Sequence, residues 1–253
     1  MSIATEITRI QQAKADIKTA IQAKGVTVPS SAKIDAYDDY VSQISGGGGC
    51  EGFIGMVERS AASITIPSGT TKIGNYAFTY YDGLTSVNIP DTVTRIEESA
   101  FEKCSSLTSI DIPSGVTSIG DNAFTQCSSL TSIDLPDSVT SIGGSAFRYC
   151  RGLTSCTIGS GVTSIGQGAF YGCRKLTSVT LGTSVTSIDN YAFYECSRLT
   201  SITCLAATPP TLAQYGVFDN TNNCPIYVPS ASVNAYKSAT SWSTYASRIQ
   251  AIP

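Results

Sequence analysis

A chain of 253 residues with 42% hydrophobic content carries enough apolar material for one large domain or two modest ones. Charged residues make up only 14%, the formal net charge is -3, and there is no histidine. The chain therefore lacks both the basic field that gathers phosphates and the usual general base near neutral pH, which excludes nucleic acid as a partner and argues against hydrolytic chemistry.

The first 45 residues are polar and helix-patterned. Ile3, Ile7, Ile10, Ile17 and Ile21, with Lys14 in the same series, follow alternating steps of three and four, the spacing of a coiled-coil seam. Isoleucine at both seam positions favours a trimer or higher order, so residues 1-45 are expected to anchor or oligomerise the chain. The same residues also suit a helical hairpin in which 3–24 packs on 34–44 through Ile34, Tyr37, Val41 and Ile44, and both arrangements stay open. The opening lacks the apolar core of a secretory signal, and no stretch reaches membrane-spanning length. The expectation is synthesis in the cytoplasm, with no membrane partner. Gly46 to Gly49 break the pattern, giving a Gly-rich linker over 46-50 and a second unit over 51-253.

That second unit is repetitive. Leu84, Leu107, Leu130, Leu153, Leu176 and Leu199 recur every 23 residues, each opening the phrase LTS, and an earlier copy begins at Ala61. The seventh copy, from Leu199, loses the pattern at Thr208, Pro209 and Pro210, so the repeats run over 61-221. Within a copy, Leu84, Val87 and Ile89 alternate inward while Ser86 and Asn88 face out, as a short strand requires. Val93 and Ile96 form a second inward pair, and Ala100 with Phe101 fills the space behind. No copy can bury these residues alone, so the prediction is a β-rich α/β solenoid of seven 23-residue turns. FIGMVERS, residues 53 to 60, is expected as a leading strand. Residues 222-253 are expected as a helical cap, with IYVP as the last strand and Ser230 capping a helix that carries Val233, Tyr236, Trp242, Tyr245 and Ile249.

Five of the nine cysteines, Cys104, Cys127, Cys150, Cys173 and Cys196, share one repeat position, where the first copy has Tyr81. They are expected as a buried ladder of reduced thiols. No CxxC spacing accompanies them, so neither metal nor any other cofactor is expected. Glu97 and Glu98, the one carboxylate pair inside a copy, are read as a solvated turn. Positions that differ between copies are where a ligand can be read. One such row follows the repeated Phe and holds Tyr80, Arg148, Tyr149, Tyr171 and Tyr194, with Tyr76 and Tyr191 three residues before it. A basic row, Arg151, Arg174, Lys175 and Arg198, fills the last two positions of successive copies. Both are candidate ligand surface, since tyrosine offers rigid contact area with a hydrogen-bonding tip, and the basic row can face an anion.

The phrase LTSxxIPxxVTSIGxxAFxxC resembles the BspA-like class of bacterial leucine-rich repeats over residues 61 to about 221, and IYVPSASVNAYKSATSWSTYASRI is similar to a C-terminal cap of that class. The resemblance implies a right-handed solenoid used in adhesion or ligand recognition, without enzymatic activity. The stretch from Glu6 to Ile44 resembles the N-terminal segment of phage tail, baseplate and fibre-like proteins. That likeness implies a virion component, joined to other virion proteins through residues 1-45 and presenting the solenoid to a host-surface protein or glycan. The other expectation is a bacterial adhesin or interaction scaffold, in the cytoplasm or at the cell surface.

Overall fold

The computed structural model describes residues 61–253. The expected seam through Ile3, Ile7, Ile10, Ile17 and Ile21, the linker and the leading strand at 53 to 60 lie outside them.

Every copy but the one that begins at Leu107, which has a single strand, makes two short strands and a run of turns, and copies stack in parallel. One face holds β1 (Ser63–Thr65), β3 (Ser86–Asn88), β6 (Ser132–Asp134), β8 (Ser155–Thr157), β10 (Ser178–Leu181) and β12 (Ser201–Cys204). The second holds β2 (Lys72–Ile73), β4 (Arg95–Ile96), β5 (Ser118–Ile119), β7 (Ser141–Ile142), β9 (Ser164–Ile165), β11 (Ser187–Ile188) and β13 (Thr211–Leu212). The register equals the sequence period, with Ser63 beside Ser86 and Ser141 beside Ser164. The alternation predicted for the first strand holds: Val87 is buried between exposed Ser86 and Asn88. On this face the ladder breaks at residues 109–111, leaving a two-stranded and a six-stranded sheet. Regular pairing there would set the exposed Asp111 beside the exposed Asp134, and like charges in adjacent rungs disfavour it.

The core is a stack of rings. Phe78, Phe101, Phe124, Phe147, Phe170 and Phe193 lie nearly parallel, with centroids 5.0 to 5.3 Å apart, and Phe218 continues the column at 5.7 Å. Beside it runs the cysteine ladder, fully buried and unbridged. Each thiol donates to the carbonyl of the Phe one copy back, as Cys127 does to Phe101 at 3.1 Å. That carbonyl already accepts the backbone N–H of Cys104 at 3.2 Å, so the thiol uses its second lone pair. A valine of similar size could not. Burial pushes the thiols of Cys104 and Cys150 up to about 12. The eight cysteines from Cys104 to Cys224 should therefore resist iodoacetamide in the native chain and react fully in denaturant, as peptide mapping would read. Rapid native alkylation at the ladder would contradict this packing.

The exposed threonines are structural as well. Thr85, Thr108, Thr131, Thr154, Thr177 and Thr200 each donate their hydroxyl to the backbone carbonyl at the same position one copy back, over 2.7 to 3.3 Å. A second Thr ladder, Thr94 through Thr186, does the same on the other face.

The C-terminal end departs from the expected single helix. The seventh copy carries an insertion at its prolines, so Ser187 pairs with Thr211 and the register slips by one residue. The chain then forms β14 (Ile226–Val228), a 3₁₀ turn (Ser230–Ser232), the short helix α1 (Val233–Ser238), a second 3₁₀ stretch (Trp242–Arg248) and β15 (Ile249–Ala251), which pairs with β14. IYVP is thus not the last strand, and Ser230 makes no side-chain cap. The closing turn brings the solenoid to about eight turns. Trp242 and Tyr236 cover the end of the ring column, with Trp242 Nε1 donating to Pro210 O at 2.7 Å and Tyr236 OH to Ala206 O at 2.7 Å.

Candidate functional site

Between the second strand of one copy and the first of the next, the chain runs through tight turns that form a third face. Two positions per copy take a left-handed backbone: Tyr76, Ser99, Asn122, Ser145, Gly168 and Tyr191 in one row, and Tyr80, Lys103, Gln126, Tyr149, Gly172 and Glu195 in the other. Residues with a side chain resist this conformation. It is held because each N–H then donates straight to the next copy, as Tyr80 N does to Glu102 O at 2.8 Å and Lys103 N to Thr125 O at 2.7 Å. The consequence for function is geometric. Side chains of the second row stand on this face at the rise of the stack, about 4.8 Å per copy.

The structure gathers most of the tyrosine row into one ridge. Tyr149 meets Tyr171 edge-on at 5.4 Å, Tyr171 stacks on Tyr194 at 5.1 Å, and Tyr191 meets Tyr194 edge-on at 5.6 Å. All four rings are half-buried, packed against one another. Gly172, at φ 70°, makes room for this: a Cβ there would lie 2.6 Å from Tyr149 Cδ1. Arg148 joins the ridge, its guanidinium 4.9 Å from the Tyr149 ring and 5.0 Å from that of Tyr171. Arg151 lies 5.2 Å from the same Tyr149 ring.

Tyr76 and Tyr80 stand apart at the other end. Tyr76 OH donates to Glu98 at 2.9 Å, and that carboxylate holds the phenol above its ordinary range. Lys103 Nζ donates to Tyr80 OH at 2.7 Å. The basic row does not act as one stripe. Arg174 pairs with Glu195 at 2.6 Å, while Lys175 and Arg198 are exposed and lie outside the ridge. Glu97 and Glu98 are engaged separately, Glu97 with Arg95 at 3.1 Å and Glu98 with Tyr76. Among the described residues no group of three or more Cys, Asp or Glu is placed to hold a metal ion.

Between the two tyrosine ends lies a groove of about 530 Å³, lined by Tyr80, Asp82, Lys103, Ser105, Gln126, Ser128, Tyr149 and Arg151. Lys103 and Gln126 belong to the variable row behind the repeated Phe, whereas Asp82, Ser105 and Ser128 were not among the residues singled out from sequence. The signal was present as a contrast of size, tall tyrosines three copies apart with serines between, but a groove appears only once the copies are stacked. A larger hollow of about 770 Å³ at the C-terminal cap is a poorer candidate, because its polar groups satisfy one another. Arg248 there bonds to Cys224 O and Phe218 O, and Tyr245 OH to Asp219.

Comparison with known proteins agrees with this architecture. A model of the BspA type leucine rich repeat region matches residues 57–167 and 118–246. Among solved structures, a leucine-rich repeat protein from T. pallidum is 35% identical, with a TM-score of 0.52 over 55% of this chain and 64% of that one. One from Eubacterium ventriosum is 28% identical, with a TM-score of 0.58 over 66% of this chain and 45% of that one. One from Bacteroides ovatus, at 24% identity and a TM-score of 0.54, covers 69% of this chain and 59% of that one and shows the fold alone. The chain thus spans less than two thirds of the length of each. No curated protein matches it. The chain belongs to the BspA-type leucine-rich-repeat family.

Proposed function

We propose that the chain is a recognition protein whose third face meets a protein or glycan on a cell surface. The observation that carries this reading is the change from copy to copy along that face. The Thr rows beside the strands repeat almost unchanged and spend their hydroxyls on neighbouring copies, whereas the third face changes from copy to copy between Tyr80 and Tyr194. The resemblance of the N-terminal segment supports a phage virion as the vehicle. In that reading residues 1-45 join other virion proteins, as a trimer if the isoleucine seam forms, and the ligand belongs to the host. A bacterial surface adhesin is the second reading, favoured by the family match and the bacterial sources of the solved relatives.

The test is an array of cell-surface glycans and extracellular proteins probed with the full chain. Replacing Tyr149, Tyr171 and Tyr194 by Ala should abolish the strongest signals. Because these rings stack, the same variant should also lose a few kcal/mol of stability, at about 0.5–1.5 kcal/mol per aromatic pair beyond area burial. The Tyr→Phe triple variant keeps the stack and separates the two effects. A bulky change on the first face, Ser132→Arg, should leave binding intact. Equal loss from the first-face variant would overturn the assignment.

A further inference from the structure

Resting on that recognition reading, we infer that the groove between Tyr80 and Tyr149 takes an anionic oligosaccharide, its acidic group seated at the Arg151 end. The argument begins with how the arginines are satisfied. Arg95 has Glu97, Arg174 has Glu195, and Arg248 is tied to backbone carbonyls and Thr221. Arg148 and Arg151, like the exposed Arg198, have no acid among the described residues, but these two also share one ring, Tyr149, at 4.9 and 5.2 Å. The Arg148 Nε–H is buried without an acceptor. Two cations held on a shared ring with no counter-charge are an unfavourable arrangement for the chain alone, and an anion from outside relieves it.

The groove sets the size and kind of that anion. Tyr80 and Tyr149 are three copies apart, about 14 Å at the rise of the stack, so the groove accommodates a short chain and not a lone ion. Its floor is Ser105, Gln126 and Ser128, groups that both donate and accept, and Asp82 at the Tyr80 end suits a hydroxyl donor. The backbone beneath is closed to a peptide. The N–H groups of Tyr80, Lys103, Gln126 and Tyr149 all donate to the following copy, over 2.7 to 2.8 Å, so an extended chain cannot add to them as a strand. What remains to read a ligand is hydroxyls, an amide, aromatic rings and fixed cations, which is the chemistry that matches a sugar chain bearing acids.

The experiment is equilibrium binding of the full chain to size-matched probes: a heparin-derived oligosaccharide, an oligogalacturonate, a neutral dextran oligosaccharide and a polyglutamate peptide. At least one acidic saccharide should bind about tenfold or more tightly than the neutral one, with affinity falling as salt rises. The sulfated and carboxylated probes separate the two sources of charge. With a net charge of -3, the chain has no overall field to draw polyanions, so such binding must be local. Arg151→Ala with Lys103→Ala should weaken it about tenfold or more, whereas Arg174→Ala, whose cation is already paired, should not. Neither Lys103 nor Arg151 belongs to the core, and unchanged thermal melts would confirm that the variants fold. Equal affinity for dextran, indifference to the double variant, or binding of polyglutamate alone would each overturn the inference. Array binding that depends on the tyrosine ridge but ignores the double variant and acidic competitors would leave the recognition reading standing without it.

Discussion

Phe147→Ala is expected to lower the stability of the solenoid by about 3–5 kcal/mol and its melting temperature by roughly 10 °C. Phe147 is fully buried, with Phe124 5.3 Å away on one side and Phe170 5.1 Å on the other. Its neighbours are held by inter-copy bonds on both sides, such as Phe147 N to Ala169 O at 2.7 Å, so the turn cannot collapse to fill the space. A stacked-repeat protein is close to one-dimensional, and each turn reports only to its neighbours. Removing a plate from the middle of the column therefore weakens two interfaces at once and uncouples the halves. The calorimetric transition should broaden, with the van't Hoff enthalpy falling below the calorimetric one. Phe147→Leu should recover part of the loss. A change within about 1 kcal/mol, the range of ordinary surface substitutions, would mean that the ring column does not hold the copies together.

This column was legible in the sequence because its signal repeats. Leu84, Val87, Ile89, Val93, Ile96, Phe101 and Cys104 recur at one spacing, and every one is buried. Hydrogen bonds that use those same positions were not legible. Nothing in LTS says that the Thr hydroxyl reaches a carbonyl in the preceding copy, because the partner is fixed only by stacking. The left-handed positions were equally hidden. Tyr, Ser, Lys, Asn, Gln and Glu occupy most of them, and among these turns only Gly168, Gly172 and Gly216 are the glycines that mark that conformation. At the C-terminal end, Ile249 fits a helical spacing from Tyr245, yet pairing with Ile226 makes it a strand, an outcome decided by the exposed edge of β14.

The site divides in the same way. Its tall members, Tyr80 and Tyr149, stood out as departures from the repeat, and so did Arg148 and Arg151. Its floor did not, since Ser105 and Ser128 are consensus-like residues whose contribution is to be short. Sequence comparison between copies finds the walls of a groove more readily than its floor. It also could not foresee that Glu195 would take Arg174 out of the basic row, because the partners are 21 residues apart on adjacent turns.

Raising the pH from 8 to 11 is expected to unfold the chain, and the cysteine ladder supplies much of the effect. Burial holds the thiols of Cys104 and Cys150 near 12, from an ordinary value of 9.0, and drives those of Cys127 and Cys173 well above that ordinary value as well. Below pH 9 the folded and unfolded chains both keep these protons, and the ladder adds no pH dependence. Above it the unfolded chain releases protons that the folded chain retains, so stability falls as pH rises towards the folded-state values. At two units above the unfolded value, Cys104 and Cys150 each remove on the order of 3 kcal/mol. Cys127 and Cys173 act in the same direction. Tyr245, raised by burial to about 12, acts with the same sign at slightly higher pH. Urea midpoints measured under reducing conditions across this range should fall steeply above pH 9. In the Cys127→Val, Cys150→Val double variant the fall should be shallower by two protons. That variant gives up two thiol-to-carbonyl bonds, so it should start less stable than the parent at pH 7 and overtake it in alkali. A parent midpoint that stayed level to pH 11 would show that water reaches the ladder, and the packing that sets this solenoid's core would have to be redrawn.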